Sequence, residues 1–385
     1  MKKTLLVAAL LAGFVGAVEA KTSVTLYGRI DAGIGYSQST DRYEGPNGGE
    51  KRDSTFGAIV NGQSSSRWGL KGSEDLGNGL SAIFQLEQGF DGVVGTNKKL
   101  ADNKLFDRKA ILGLKGGFGT LTVGLQNNIA DDIISQGLDW GLADAGDAHG
   151  ALSYRISKLP TVKYLSNDNG GLVFGIQVGH SRAEIKDQQD VNVGATRVVT
   201  TDSYFGIGLG YTQNKLSLGV AFDMETGRVK NTDAAGNSVT TKTDAKAVTI
   251  GGGYDFGPVE LFLGYGRQWD GWINGNPLGV KVMVDPAHPT NDPEPISNMW
   301  FAGVSAPVGE ASKVHFKYWG GNATGNDNVD NTTVMGHGFS LGFEHKLSKR
   351  TNVYVQGSYA YTKGDWEGAR SDSSSEVKVG LRHRF

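Results

Sequence analysis

Thr25-Leu26-Tyr27-Gly28-Arg29-Ile30-Asp31-Ala32-Gly33-Ile34 decides the fold. Leu26, Gly28, Ile30, Ala32 and Ile34 fall on one face of an extended chain and Tyr27, Arg29, Asp31 and Gly33 on the other, because successive strand side chains point to opposite sides. The same two-residue period recurs along the whole chain. Leu80, Ala82, Phe84 and Leu86 repeat it, as do Leu216, Leu218, Val220 and Phe222, then Val259, Leu261, Leu263 and Tyr265, and finally Val377, Val379, Leu381 and Phe385. With the less regular segments at 67–71, 105–115, 161–166 and 300–306, sixteen strands are counted, and an even number suits a closed antiparallel barrel.

The connections alternate between two kinds. Short ones fall at 74–79, 116–119, 167–171, 212–215, 257–258, 307–311 and 347–350. Long polar ones fall at 37–63, 91–104, 127–159, 181–203, 224–246, 267–298, 320–333 and 362–374. Short turns on one rim and long loops on the other are the habit of a transmembrane barrel. Loops this long do not suit a compact soluble domain.

The polar face settles which side is wet. Arg29, Asp31, Lys71, Glu260, Lys317, Glu344 and Arg382 share it with Gly and Ser, a set that cannot pack a dry sixteen-strand interior. Turned toward lipid, each basic residue would cost about 2–4 kcal/mol at the bilayer midplane. Turned inward they meet water in the lumen. The apolar face then meets lipid, with Tyr36, Trp68, Tyr211, Tyr254, Tyr265, Trp300 and Tyr361 placed as interfacial aromatics.

Lys2 and Lys3 precede an apolar run that ends in Val18-Glu19-Ala20, the pattern of an export signal over residues 1–20, which leaves 21–385 as the barrel. No later run is long enough for a transmembrane helix. The chain has 38 basic and 40 acidic residues, which gives no electrostatic reason to expect nucleic acid. It contains no Cys, so disulfides and thiolate metal sites are excluded. The seven His lack metal-ligand spacing, no Gly-x-Ser-x-Gly elbow is present, and Gly206-Ile207-Gly208-Leu209-Gly210 reads as an alternating strand. Neither a catalytic centre nor a cofactor is expected.

Several blocks stand out together: Ser23 to Gly33, Ser66-Arg67-Trp68-Gly69-Leu70-Lys71-Gly72-Ser73-Glu74-Asp75-Leu76-Gly77, Leu105-Phe106-Asp107-Arg108, Gly117-Phe118-Gly119-Thr120, Leu347-Ser348-Lys349-Arg350-Thr351, and the ending Val379-Gly380-Leu381-Arg382-His383-Arg384-Phe385. In combination they resemble the general porins of betaproteobacterial outer membranes. The resemblance implies a homotrimer of sixteen-stranded barrels, each with its third long loop (127–159) folded into the pore. It places Arg67, Arg108 and Lys163 on a basic constriction wall, with Arg29, Lys71 and Arg155 as further basic positions. It sets Asp131, Asp132, Asp139, Asp144 and Asp147 of the loop against that wall. Phe385 resembles the terminal aromatic read by the barrel-assembly machinery. Outer-membrane lipid and lipopolysaccharide are the implied surroundings.

Two functions remain open on these grounds. One is a passive diffusion channel for ions and small hydrophilic solutes, in which a charged constriction sets selectivity. The other is a barrel that displays loops, as an adhesin or a membrane hydrolase.

Overall fold

The computed structural model describes residues 23–43, 48–96, 105–134, 155–186, 195–233, 235–270, 296–327, 330–365 and 370–385. The strands are β1 (Ser23–Tyr43), β2 (Gly49–Val60), β3 (Arg67–Gly77), β4 (Leu80–Gly89), β5 (Lys109–Gly116), β6 (Gly119–Asn127), β7 (Arg155–Leu165), β8 (Leu172–Lys186) and β9 (Ala195–Gln213). They continue as β10 (Leu216–Asp233), β11 (Ser238–Asp255), β12 (Glu260–Trp269), β13 (Ile296–Val308), β14 (Ser312–Asp327), β15 (Asp330–Lys346), β16 (Thr351–Asp365) and β17 (Arg370–Arg384). A short helix, Ile129–Ile134, follows β6.

Neighbouring strands pair antiparallel, and β17 returns to β1 from Arg29↔Arg384 to Tyr43↔Arg370, which closes the wall. On its other side β1 pairs with β3 over Ser23–Arg29 and with β2 over Ala32–Tyr43. β2 and β3 therefore share one position, and the seventeen segments form a sixteen-strand barrel. The break is a wide bulge. Residues 61–66 stand opposite only Ile30 and Asp31.

The bulge turns inward because a buried carboxylate holds it there. Asp31 is fully buried and accepts hydrogen bonds from the backbone N–H groups of Gln63 (3.0 Å) and Ser64 (2.7 Å) and from the Tyr354 hydroxyl (2.6 Å). Its own carbonyl accepts from the Asn61 N–H (3.0 Å). These bonds satisfy backbone groups that the ladder has released.

The two faces divide as the alternation predicts. Leu26, Leu263 and Leu341 stand 58%, 65% and 56% exposed, on the outer surface, while Asp31, Lys317, Glu344 and Gln356 are buried on the inner one. The inner face is nevertheless not uniformly polar. Phe262, Met299, Phe301 and Trp319 lie on it and belong to one buried apolar cluster with the helix.

Several stretches expected as long loops are instead continued strands. β1 and β2 pair to Tyr43↔Gly49, β10 and β11 to Thr232↔Ser238, and β14 and β15 to Asp327↔Asp330. Above the membrane both faces of a ribbon meet water, so the apolar period vanishes although the ladder continues. Thr-rich runs such as Val239-Thr240-Thr241 keep the β preference.

The C-terminus completes the seam. Phe385 and Gly28 exchange backbone hydrogen bonds of 3.0 Å each, and the Phe385 ring lies where a Cβ on residue 28 would sit, 2.4 Å from its Cζ. Gly28→Val is expected to displace the ring and destabilise the folded barrel by about 1–3 kcal/mol, the usual scale of overpacking. A lower unfolding temperature in heat-dependent gel mobility checks this, and unchanged mobility would show that the seam tolerates the methyl groups.

Candidate functional site

The inner wall carries two opposed features, a row of arginines and a docked helix. Arg67 of β3 is the in-register partner of Arg29 in β1, and Arg29 is in turn the partner of Arg384 in β17. The Arg384 N–H then donates to the Arg350 carbonyl at 2.8 Å. Four arginines thus follow one another across the wall. Like charges at directly paired positions destabilise a sheet, so the row is not there to hold the wall together.

One carboxylate anchors its upper end. Glu87 Oε1 accepts from Arg108 Nε at 2.7 Å and lies 3.7 Å from Arg67, and its Oε2 accepts from the Tyr27 hydroxyl at 3.0 Å. Gln85 donates to that hydroxyl at 2.6 Å. Lys71 sits 5.4 Å from the centre of the Tyr27 ring, a cation–π contact nearer the short-turn rim.

The helix leans on the inner faces of β8 to β11. These strands present glycine where the isoleucines arrive: a Cβ on Gly175 would come within 2.7 Å of Ile129, and one on Gly208 within 3.0 Å of Ile129 and Ile133. On Gly219 and Gly251 it would come within 2.9 Å and 2.8 Å of Ile134. Ile129, Ala130, Ile133 and Ile134 are fully or almost fully buried as a result. A six-residue helix has no stability of its own, so this burial and its polar anchors hold it.

Those anchors cluster at its start. Asn128 caps it, accepting from the Asp131 N–H at 3.1 Å, and donates to Asp223 at 3.2 Å. The Tyr204 hydroxyl accepts from the Ile129 N–H at 3.3 Å and donates to Asp223. Lys163 Nζ donates to the Asn127 carbonyl at 2.6 Å and pairs with Asp132, while Gln177 reaches the same carbonyl at 3.1 Å.

The expected site residues therefore separate. Arg29, Arg67 and Arg108 stand together, and Asp131 of the helix acts electrostatically on both Arg67 and Lys163. Lys163 is buried beneath the helix as its tether. Arg155 begins β7 opposite Asn127, and nothing of its side chain is described. Asp139, Asp144 and Asp147 lie outside the described residues, as do residues 1–20. Among the described residues no cluster of His, Asp and Glu could hold a metal.

Sequence reasoning missed Glu87 as the shared acid, Arg384 and Arg350 in the row, and the Tyr204–Asp223–Asn128 anchor. One signal was available: Asn127-Asn128 directly before Ile129, with Asp131 and Asp132 in the first turn, is a helix-start pattern.

A closed wall that is greasy outside and charged within defines a membrane channel. Comparison with known proteins makes the assignment specific: the chain belongs to the Gram-negative porin family, whose model matches residues 4–365. It is 39% identical over 414 residues to an outer membrane porin protein of Bordetella pertussis, with 100% of both chains covered. It is 28% identical over 408 residues to outer membrane porin protein 32 of Delftia acidovorans, again with 100% of both covered. Among solved structures, an anion-selective porin from Comamonas acidovorans superposes with a TM-score of 0.60 at 24% identity, covering 95% of this chain and 100% of that one. The trimer form of OmpT from Vibrio cholerae gives 0.58 at 15% identity, covering 94% and 99%. The protein is an outer-membrane barrel that acts as a passive diffusion channel, not as an enzyme.

Gly219→Leu removes the space taken by Ile134 and the Ile133 carbonyl, 2.9 and 3.0 Å from the added Cβ. The variant is expected to dislodge the helix and raise single-channel conductance, measured in planar bilayers. Conductance equal to that of the unmodified channel would mean that the helix does not narrow the path.

Proposed function

We propose that the channel prefers anions, and that the arginine row with its single shared carboxylate is the selective element. Arg29, Arg67, Arg108 and Arg384 face the lumen against Glu87, and Asp131 approaches from the helix. A permeant anion crossing this narrow band meets excess positive potential, whereas a cation meets a barrier. The helix Ile129–Ile134 leans into the lumen from the wall opposite the row. The field then runs across the pore from the arginines toward Asp131, since Asp132 is engaged by Lys163.

The same reading takes residues 1–20 as the export signal and Phe385 as the element recognised during assembly. The working form is a homotrimer embedded among outer-membrane lipid and lipopolysaccharide; the trimeric state of the similar Vibrio cholerae barrel supports this. The solutes are small hydrophilic anions.

In a potassium chloride gradient the reversal potential is expected to carry the sign of chloride preference. Arg67→Glu should lower the anion-to-cation permeability ratio severalfold. The preference should also shrink between 0.1 M and 1 M salt, as the Debye length falls from about 10 to about 3 Å. A reversal potential that Arg67→Glu leaves unchanged would remove the row from the selectivity mechanism.

A further inference from the structure

We propose that the arginine row ends in a subsite for multivalent oxyanions of the phosphate class at the periplasmic mouth; this rests on the anion-channel reading above. Beneath the bulge, on the short-turn rim that faces the periplasm in such barrels, the inner wall forms an open recess of about 220 Å³. Lys346, Lys349, Arg350, Arg382 and Arg384 line it with one carboxylate, Glu344.

That carboxylate is already engaged. Glu344 lies 3.7 Å from Arg382 and accepts from Gln63 Nε2 at 2.5 Å. Asn352 fixes the same corner, donating to Gln63 at 2.8 Å and accepting from Arg382 Nε at 3.0 Å. Glu344 and Arg382 thus cancel within a rigid polar floor. Lys346, Lys349, Arg350 and Arg384 have no carboxylate within ion-pair distance among the described residues.

Four uncompensated cations around one recess repel one another. In the turn beneath them the N–H groups of Arg350 and Thr351 both donate to Ser348 Oγ at 3.1 Å, so they are not free for a ligand. Recognition falls to the side chains. A divalent oxyanion relieves the repulsion more than a halide does, and the guanidinium forks of Arg350 and Arg384 match two phosphate oxygens each. The row through Arg29 and Arg67 then connects the recess to the constriction, so that an anion passes between charges without crossing a neutral gap.

The test uses the full-length purified channel in planar bilayers carrying a chloride current, with inorganic phosphate or pyrophosphate added on the short-turn side. Phosphate is expected to depress the chloride current along a saturating curve, and pyrophosphate to reach half-saturation at lower concentration. The double variant Lys349→Gln/Arg350→Gln, whose side chains stand on an exposed turn, should raise the half-saturating phosphate concentration about tenfold. Lys215→Gln, which removes a charge from the same rim between β9 and β10, should not. A current that falls without saturating, or a double variant with the wild-type curve, would refute the subsite while chloride preference stands. Cation preference in the unmodified channel would overturn the subsite together with the reading beneath it.

Discussion

Every backbone amide that faces hydrocarbon must find its partner within the wall, because no water is there to supply one. The closed ladder follows from this, down to the last residue, where Phe385 and Gly28 bond in both directions across the seam. The same constraint decides where irregular backbone can go. A bulge or a loop turned outward would strand its polar groups in lipid, so the two largest irregular features described, residues 61–66 and the Ile129–Ile134 helix, turn into the lumen. Narrowing of the pore is thus the direction in which this wall can be irregular at all.

The two inward features are held by opposite chemistry. A buried carboxylate, Asp31, collects the bulge through backbone N–H groups and Tyr354, with Glu344, Gln63 and Asn352 tied in beside it. The helix is seated by shape: four isoleucine and alanine side chains fill a trough of glycines, and only its start is polar. Removing Asp31 would leave released backbone groups unsatisfied, whereas filling the trough would exclude the helix and leave the ladder intact. The side of the lumen that carries the arginines is accordingly hydrogen-bonded and rigid, and the facing side is apolar.

The strand count, the lipid face and the sign of most inward positions were legible in sequence because period-two alternation is a local property that a membrane enforces at every step. Leu263 and Lys317 could each be assigned from their neighbours alone. Strand ends were not legible. Once β10 and β11 leave the bilayer neither face is selected for grease, and Thr232↔Ser238 pairing depends on the partner strand. The inner apolar wall was also hidden, since Phe262 and Met299 break a polar-inside rule for the sake of a helix far away in sequence. The alternating glycines at 206, 208 and 210 were read correctly as strand, but the purpose of two of them became visible only when Ile129 and Ile133 were found against Gly208 and Gly210.

Arg67, Arg29 and Arg384 occupy directly paired positions, the arrangement a sheet least tolerates. Three circumstances make it bearable. The lumen is hydrated, so each pair is screened at high dielectric; Glu87 offsets the upper end through Arg67 and Arg108; and mobile anions neutralise the remainder. On the anion-channel reading proposed above, the last of these is also the transport function. A wall whose stability improves when it holds a passing anion will, by the same interaction, draw that anion in, and the cross-strand register that places the charges side by side keeps successive resting points close enough for it to leave again.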